Sequence, residues 1–347
     1  MRIASRVYAI LAVVVMTVMT SGQAAPQAEP FTEREVVFRN GSVELHGSLI
    51  LPAVPRPASA IIFLHGSGPH PRAGFRPYAE DFAKLGVASL FFDKRGSGKS
   101  SGSWITASLQ DLAGDALAAV DYLKTQRGID PERIGFWGVS QAGWVAPLAA
   151  SKSDDIAFMI LISGGGASPR ESEMFSYERE FERAGLSGAE KTQATAVLNG
   201  YFDYLATGEQ RAELVARLNE LRPGRLGPLA EQLDRILPSE ENRPNWSWVA
   251  TYDPARDIES ITFPVLLMFG DRDTDHPTAL AAERWRQGLE QAGNDRSTLL
   301  IFPGAGHGIR IPDGNTGSGP APFADGYLDT QVRWLRRVVL AGGLGQE

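Results

Sequence analysis

The stretch Arg133-Ile134-Gly135-Phe136-Trp137-Gly138-Val139-Ser140-Gln141-Ala142-Gly143-Trp144 decides how this chain is read. Arg133 to Val139 is an apolar run of strand length, and a helix-like pattern follows from Gln141 to Ser151. The chain must therefore turn sharply at Ser140. Small neighbours suit such a turn, because the backbone doubles back and the helix packs close to adjacent strands. A serine held there has its hydroxyl exposed, and the Gln141 backbone N–H points toward any negative charge that develops beside it.

Outward from this turn the sequence alternates. Short apolar runs read as strands at Ala60 to Leu64, Val87 to Phe92, Phe158 to Ser163, Val265 to Gly270 and Thr298 to Phe302. Helical patterns lie between or after them at Phe75 to Leu85, Asp111 to Gln126, Thr278 to Gln291 and Asp325 to Leu340. Continuous apolar strands alternating with helices imply an α/β fold with a mostly parallel sheet covered on both faces. Upstream, Glu35 to Arg39 and Val43 to Leu51 are β-type runs joined at Asn40-Gly41, which predicts an antiparallel hairpin at the leading edge. From about Ala167 to Ala250 no strand-like run occurs, only helical patterns such as Gly208 to Leu221 and Leu226 to Leu237, then a Pro-, Asn- and Trp-rich end. A helical cap over the sheet is expected there, dividing the core into residues 35–166 and 251–347 around an insertion at 167–250.

The quoted turn, with His65-Gly66-Ser67-Gly68-Pro69 after one strand and Asp93-Lys94-Arg95-Gly96-Ser97-Gly98-Lys99-Ser100 after the next, resembles the serine-hydrolase branch of the α/β-hydrolase superfamily. The likeness is to small prokaryotic esterases and peptidases, and it covers roughly residues 35–165 and 250–340. One position departs from the family's G-x-S-x-G: Ala142 stands where the second glycine is usual. The resemblance implies an acid after a later strand and a histidine after the last one. Asp273, in Gly270-Asp271-Arg272-Asp273, fits the acid position, with Asp271 and Asp275 as alternatives. His307, one of only five histidines, falls in the glycine loop Pro303 to Gly308 just past the last strand. On this reading Ser140 is the nucleophile, His307 its general base and Asp273 the group that orients the imidazole. Backbone N–H groups of Gln141 and of Gly66 or Ser67 form the oxyanion hole, and the family gives His65 a structural place in its loop.

Composition removes several other classes. Zero Cys excludes disulfides, thiolate metal sites and a cysteine nucleophile, and dispersed basic residues with a net charge of −7 leave no footprint for nucleic acid. Arg2 and Arg6, the apolar run Val7 to Met19 and the small residues to Ala25 describe a signal peptide cleaved near Ala24, with 25–34 as a linker. The apolar run falls short of the roughly 20 residues a membrane-crossing helix needs, so no stable anchor is expected after cleavage. Cleavage would leave 32 basic and 41 acidic residues, a charge of −9, on a secreted or periplasmic protein.

Three patterns mimic other chemistry. Gly98-Lys99-Ser100 lacks the first glycine of a phosphate-binding loop, because Asp93 stands there, so Asp93 and Arg95 are read as braces of neighbouring loops. Asp271-x-Asp273-x-Asp275 starts like a calcium loop but continues with His276 and Ala282 where glycine and glutamate are required. His65 and His70 lack further ligands at metal spacing, and His46 and His276 read as ordinary surface or strand residues. No metal and no cofactor is therefore expected. The acidic run Glu171, Glu173, Glu178, Glu180 and Glu182 reads as a solvated helix face, with amine recognition by one carboxylate as the sharper alternative. Trp144, Trp246 and Trp248 are candidates for an apolar acyl pocket.

The expected function is hydrolysis of a small or medium carboxylic ester through an acyl-enzyme. The apolar cap and the lack of a substrate-charge signature place a peptide or amide substrate second. A non-catalytic binding protein on the same scaffold is the rival from another class. Acyl chain length and oligomeric state are not encoded legibly.

Overall fold

The computed structural model describes residues 30–55, 57–311 and 321–341. The leader expected at 1–24 lies outside the described residues. Eight strands form one sheet in the order β1-β2-β4-β3-β5-β6-β7-β8. The hairpin β1 (Phe31–Asn40) and β2 (Val43–Pro52) is antiparallel, closes at Asn40-Gly41 and pairs antiparallel with β4 (Ala88–Phe92). The strands β3 (Ala58–Leu64), β5 (Ile129–Val139), β6 (Phe158–Ile162), β7 (Val265–Gly270) and β8 (Ser297–Phe302) join β4 in parallel.

Alternate side chains of the central strands feed two separate cores. Ala60, Ile62 and Leu64 pack with α2 (Leu109–Lys124), α3 (Ala142–Ala150) and α11 (Thr278–Gln291) on one face. Ile61 and Phe63 pack with α1 (Arg76–Lys84) and α12 (Tyr327–Trp334) on the other. Both layers are apolar because βαβ crossovers cover both faces, as the continuous hydrophobic runs implied. The strand at β8 is less buried than its sequence suggests. It forms the sheet edge, and Leu300 and Ile301 are exposed there.

The chain between β6 and β7 contains no strand. It holds α4 (Pro169–Arg183), α5 (Gly188–Thr207), α6 (Arg211–Leu221), α7 (Gly227–Ile236) and the short α8 (Arg243–Trp246), α9 (Trp248–Thr251) and α10 (Ala255–Ile258). Capping boxes start α4 at Ser168 with Glu171 and α5 at Ser187 with Glu190, satisfying N–H groups that the first helical turn leaves free. Residues from α4 to α7, among them Phe181, Leu198, Phe202, Leu218 and Leu233, build a third core of their own. Among the described residues no helix is long and apolar enough to cross a membrane.

Candidate active site

The turn after β5 is as tight as the sequence required. Ser140 adopts φ +58°, in the left-handed region, and its N–H donates to Ile162 O at the end of β6, 2.9 Å away. The departure at Ala142 has a local explanation. A methyl placed on Gly138 would lie 2.3 Å from the Ala142 Cβ, so only one of the two positions can carry a side chain. The close backbone approach passes instead to Gly143, where a methyl would lie 2.2 Å from the carbonyl carbon of Gly164.

The end of β6 also organises the histidine loop. Ser163, itself at φ +49°, accepts a hydrogen bond on Oγ from Gly308 N at 3.1 Å. His307 Nδ1 donates to Asp273 Oδ2 at 2.9 Å. The other carboxylate oxygen, Oδ1, accepts from the N–H groups of Asp275 and His276, at 2.8 and 2.9 Å. Asp271 is spent elsewhere, on Gly304 N at 2.7 Å, so of the candidate acids Asp273 is the one hydrogen-bonded to the imidazole. Burial opposes a charge on His307, but the Asp273 hydrogen bond and charge, with Asp275 behind them, outweigh it and hold its pKa above the ordinary value. No hydrogen bond joins Ser140 Oγ to His307 among the described residues. Among the described residues, three of the four non-glycine residues at positive φ, Ser140, Ser163 and Ile309, sit at this junction, where such strain is characteristic of working sites.

The loop after β3 closes the other side. Gly66 lies against Ser140, its Cβ direction 3.8 Å from the serine Cβ. Lys94 holds this loop to the turn, donating from Nζ to Gly66 O and to Gln141 Oε1, each at 2.7 Å. Burial, only partly opposed by Asp115, pushes the Lys94 ammonium down to about 7. The Gln141 and Ser67 amides have no protein acceptor among the described residues and so are free to donate. His65 is buried and neutral, lowered to about 3 by burial, and its Nε2 donates to Phe92 O at 2.7 Å. That is the structural place its motif implied. Asp93 and Arg95 do brace their surroundings: Asp93 accepts from Arg72 and Lys99, and Arg95 forks onto Asp115 with two 2.7 Å contacts.

Two sequence readings are corrected. His276 is buried, not a surface or strand residue; its Nε2 donates to Gly165 O at 2.9 Å and its Nδ1 accepts from Ser172 Oγ on α4 at 3.0 Å. It thus fastens α4 to the loops after β6 and β7, and burial lowers its pKa to about 4. A lone histidine in a polar loop carried no signal of this. The acidic run on α4 is also not one solvated face. Glu171 completes the capping box and pairs with Arg284, and Glu182 pairs with Arg179, but Glu173 faces a cavity.

That cavity, about 880 Å³ with its open mouth included, lies between α4–α9 and the strand-end loops. Ser67, Lys94 and Gln141 stand in its wall, as do all three tryptophans singled out above, Trp144, Trp246 and Trp248. Trp246 Nε1 donates to Ile105 O, so α8 touches the loop that precedes α2. Asp273, Asp275 and His307 bring potential ligand atoms within 4.8 Å of one another, the one such group among the described residues. Asp273 already spends both oxygens on hydrogen bonds and His307 turns Nδ1 to it, an arrangement for handling a proton at Nε2 rather than for chelation.

A sharp serine turn, an Asp–His pair and free amides at the carboxyl edge of a mostly parallel sheet define an α/β-hydrolase architecture. The chain belongs to the alpha/beta hydrolase family, whose model matches residues 61–325. It is similar to Esterase EstD of Thermotoga maritima, at 24% identity over 324 residues, covering 88% of this chain and 68% of that protein. It is also similar to Thiohydrolase aneE of Aspergillus aculeatus, at 32% over 137 residues, but the match spans only 39% of this chain and 42% of that one. In structure it resembles the Pyrococcus furiosus esterase Pf2001, with a TM-score of 0.59 at 20% identity over 92% of this chain and 95% of that one.

Proposed function

We propose that this protein is an exported serine hydrolase that cleaves carboxylic esters through an acyl-enzyme. The observation that carries the reading is the 2.9 Å His307–Asp273 hydrogen bond, anchored to the same strand end as the strained Ser140. In this mechanism a substrate carbonyl enters between Ser140 and the loop of Gly66 and Ser67. His307 Nε2 takes the hydroxyl proton as Ser140 Oγ bonds to the carbonyl carbon. Negative charge moves to the carbonyl oxygen, which accepts from the Gln141 N–H and from Gly66 or Ser67. One such donor is typically worth about 10²–10³ in turnover. His307 then protonates the leaving alkoxide. Water attacks the acyl-enzyme by the same route and frees the acid.

The Lys94 bridge supports the reading, because it fixes the two candidate oxyanion elements relative to each other before any charge develops. The apolar, tryptophan-lined cavity suits an acyl or aryl group, and α4–α9 act as its cap. The comparison with an esterase along most of the chain favours ester chemistry.

Labelling the purified protein with a fluorophosphonate probe, followed by peptide mass mapping, tests the nucleophile without assuming a substrate. A single adduct on Ser140, lost in His307→Ala, is expected; a folded protein that takes no adduct would sink the proposal. Export is tested separately, by N-terminal sequencing of protein recovered from outside the cytoplasm. A start at Ala25 is expected, and an intact Met1 would refute cleavage.

A further inference from the structure

The cavity that Ser67 and Gln141 border is lined mainly by apolar and aromatic side chains, and its wall contains one acid. Glu173 projects into it from the second turn of α4, beside Tyr177 and Tyr201. Its side chain is exposed toward this open-mouthed space, while the protein packed around the carboxyl, then the charges of Asp275 and Glu180, push it up to about 7. No hydrogen bond or ion pair engages it among the described residues. The other charged group of the wall, Lys94, is committed to Gly66 and Gln141 at the serine end. An acid that faces an apolar pocket with no protein partner is free to pair with a cation that enters it.

The surroundings state what such an acid suits. Tyr177 and Tyr201 are near enough to feel it: after burial, the Glu173 charge is a cause of their raised pKa values. Phe202, Trp144 and Trp248 complete an aromatic wall. Aromatic faces attract cations, and a carboxylate among them supplies the ion-pair partner, so the set matches an ammonium group more closely than a neutral hydroxyl or an anion. Ser172, the residue before Glu173, donates to His276, so this part of α4 lies beside the loop that carries Asp273 and Asp275.

We infer that Glu173 is a specificity-determining residue, selecting substrates whose acyl group carries a primary ammonium. This deepens the proposed ester hydrolysis and rests on the same site. The ammonium would dock on Glu173 against Tyr177 and Tyr201 while the carbonyl lies at Ser140. An amine on the acyl side is found in amino-acid esters and in aminoalkyl or aminoaryl acids, and it is absent from simple fatty acyl esters.

Two matched pairs of benzyl esters test it, each comparing an ammonium with a methyl of the same shape: alaninate against isobutyrate, and 4-(aminomethyl)benzoate against 4-ethylbenzoate. They set the ammonium at two distances from the carbonyl. At pH 8 the wild type is expected to favour the ammonium member of at least one pair by about tenfold or more in kcat/KM. Glu173→Gln, which keeps the shape, should erase that preference while leaving the neutral ester within about threefold. A wild type without preference in either pair, or a preference that survives in a Glu173→Gln protein of unchanged melting temperature, overturns the inference. A binding arm separates this failure from failure of the hydrolase reading. Tryptophan fluorescence, which Trp144, Trp246 and Trp248 make sensitive to the cavity, is titrated with benzylammonium against ethylbenzene-4-carboxamide in the Ser140→Ala protein. Preference for the ammonium that Glu173→Gln removes, when the wild type hydrolyses none of the esters, keeps the inference and sinks the hydrolase. Hydrolysis of the neutral esters without any ammonium preference does the reverse.

Discussion

The strand-end junction and the helical insertion above it meet at one cavity but are held together differently. Around Ser140 the contacts are backbone to backbone: Gly143, Gly164, Gly165 and Ser140 approach so closely that no methyl fits between them. The insertion is a side-chain assembly, with its own core of leucines and aromatics, fastened to the sheet through polar contacts at His276, Glu171 and Trp246 and through Trp248, which packs into the core on the α3 face. A site built on backbone has few ways to be nearly right. One built from packed helices can be resized and relined, as Glu173, Trp246 and Trp248 illustrate.

The difference gives an ordered set of tests. The largest effect belongs to the junction. Ser140→Ala and His307→Ala should each lower kcat/KM by about 10⁴-fold or more while the melting temperature stays near wild type, since acting as a unit makes each loss nearly complete. Asp273→Asn should cost about 10⁴-fold by unsettling the imidazole tautomer. It should also move the pH profile. The working base is neutral His307, and its pKa is raised chiefly by Asp273 against the opposing effect of burial. Wild-type activity should therefore fall as pH drops through a value above 6.5, the ordinary histidine pKa, and removing the Asp273 charge should shift that acid limb to lower pH. A limb that stays in place in Asp273→Asn would show that another group sets it.

Next in size is the Gly138–Ala142 contact. Gly138→Ala should destabilise by about 1–3 kcal/mol through overpacking against the Ala142 methyl, measured by denaturant unfolding. Ala142→Gly alone should cost about 1 kcal/mol, by lost burial and by glycine in the first turn of α3, and should keep turnover. The double variant should recover most of the Gly138→Ala loss, because the clash is gone. Strict additivity of the two changes would show that the methyl groups do not meet.

The smallest effect is expected in the insertion. Trp246→Phe removes the Nε1 hydrogen bond to Ile105 O and keeps most of the ring, so stability should drop by only about 1 kcal/mol. KM should change more than kcat for bulky acyl esters, because the cavity wall is loosened and the junction is untouched. A large fall in kcat for small esters would mean that α8 supports the chemistry directly, and the contrast drawn above would weaken.

What could be read from the sequence divides along the same line. The central strands announced themselves because both faces are buried, so their apolar runs are continuous, and β7 falls where its run predicted. The serine turn, the acid and the histidine follow strand ends in chain order, which needs no knowledge of side-chain packing. The start of β5 was hidden, because its pairing with β3 skips from Ile129 to Ile134 and the residues between carry Pro131. The longest described helix, α5, is hard to distinguish: its buried Ala194, Val197, Tyr201, Tyr204 and Leu205 do recur at helical spacing, but the other positions include Gly188, Ala189, Ala196 and Gly200, so the stripe stands out little from the rest of the helix. Glu173 and its neighbours Glu171 and Glu182 are one residue type on one helix, and only the cavity separates them.

The glycine contacts around Gly143 and Gly164 have a consequence for how this protein could change over generations. Where side chains meet, a substitution can be absorbed by a neighbour adopting another rotamer. Between Gly143 and Gly164 there is no rotamer to adopt, and a methyl on Gly164 would press on the Ser140 carbonyl oxygen itself, 2.1 Å away. Any enlargement there must be transmitted along the main chain to the serine. The positions that never touch a substrate are thus the ones least free to vary, while the residues that choose the substrate remain open to drift.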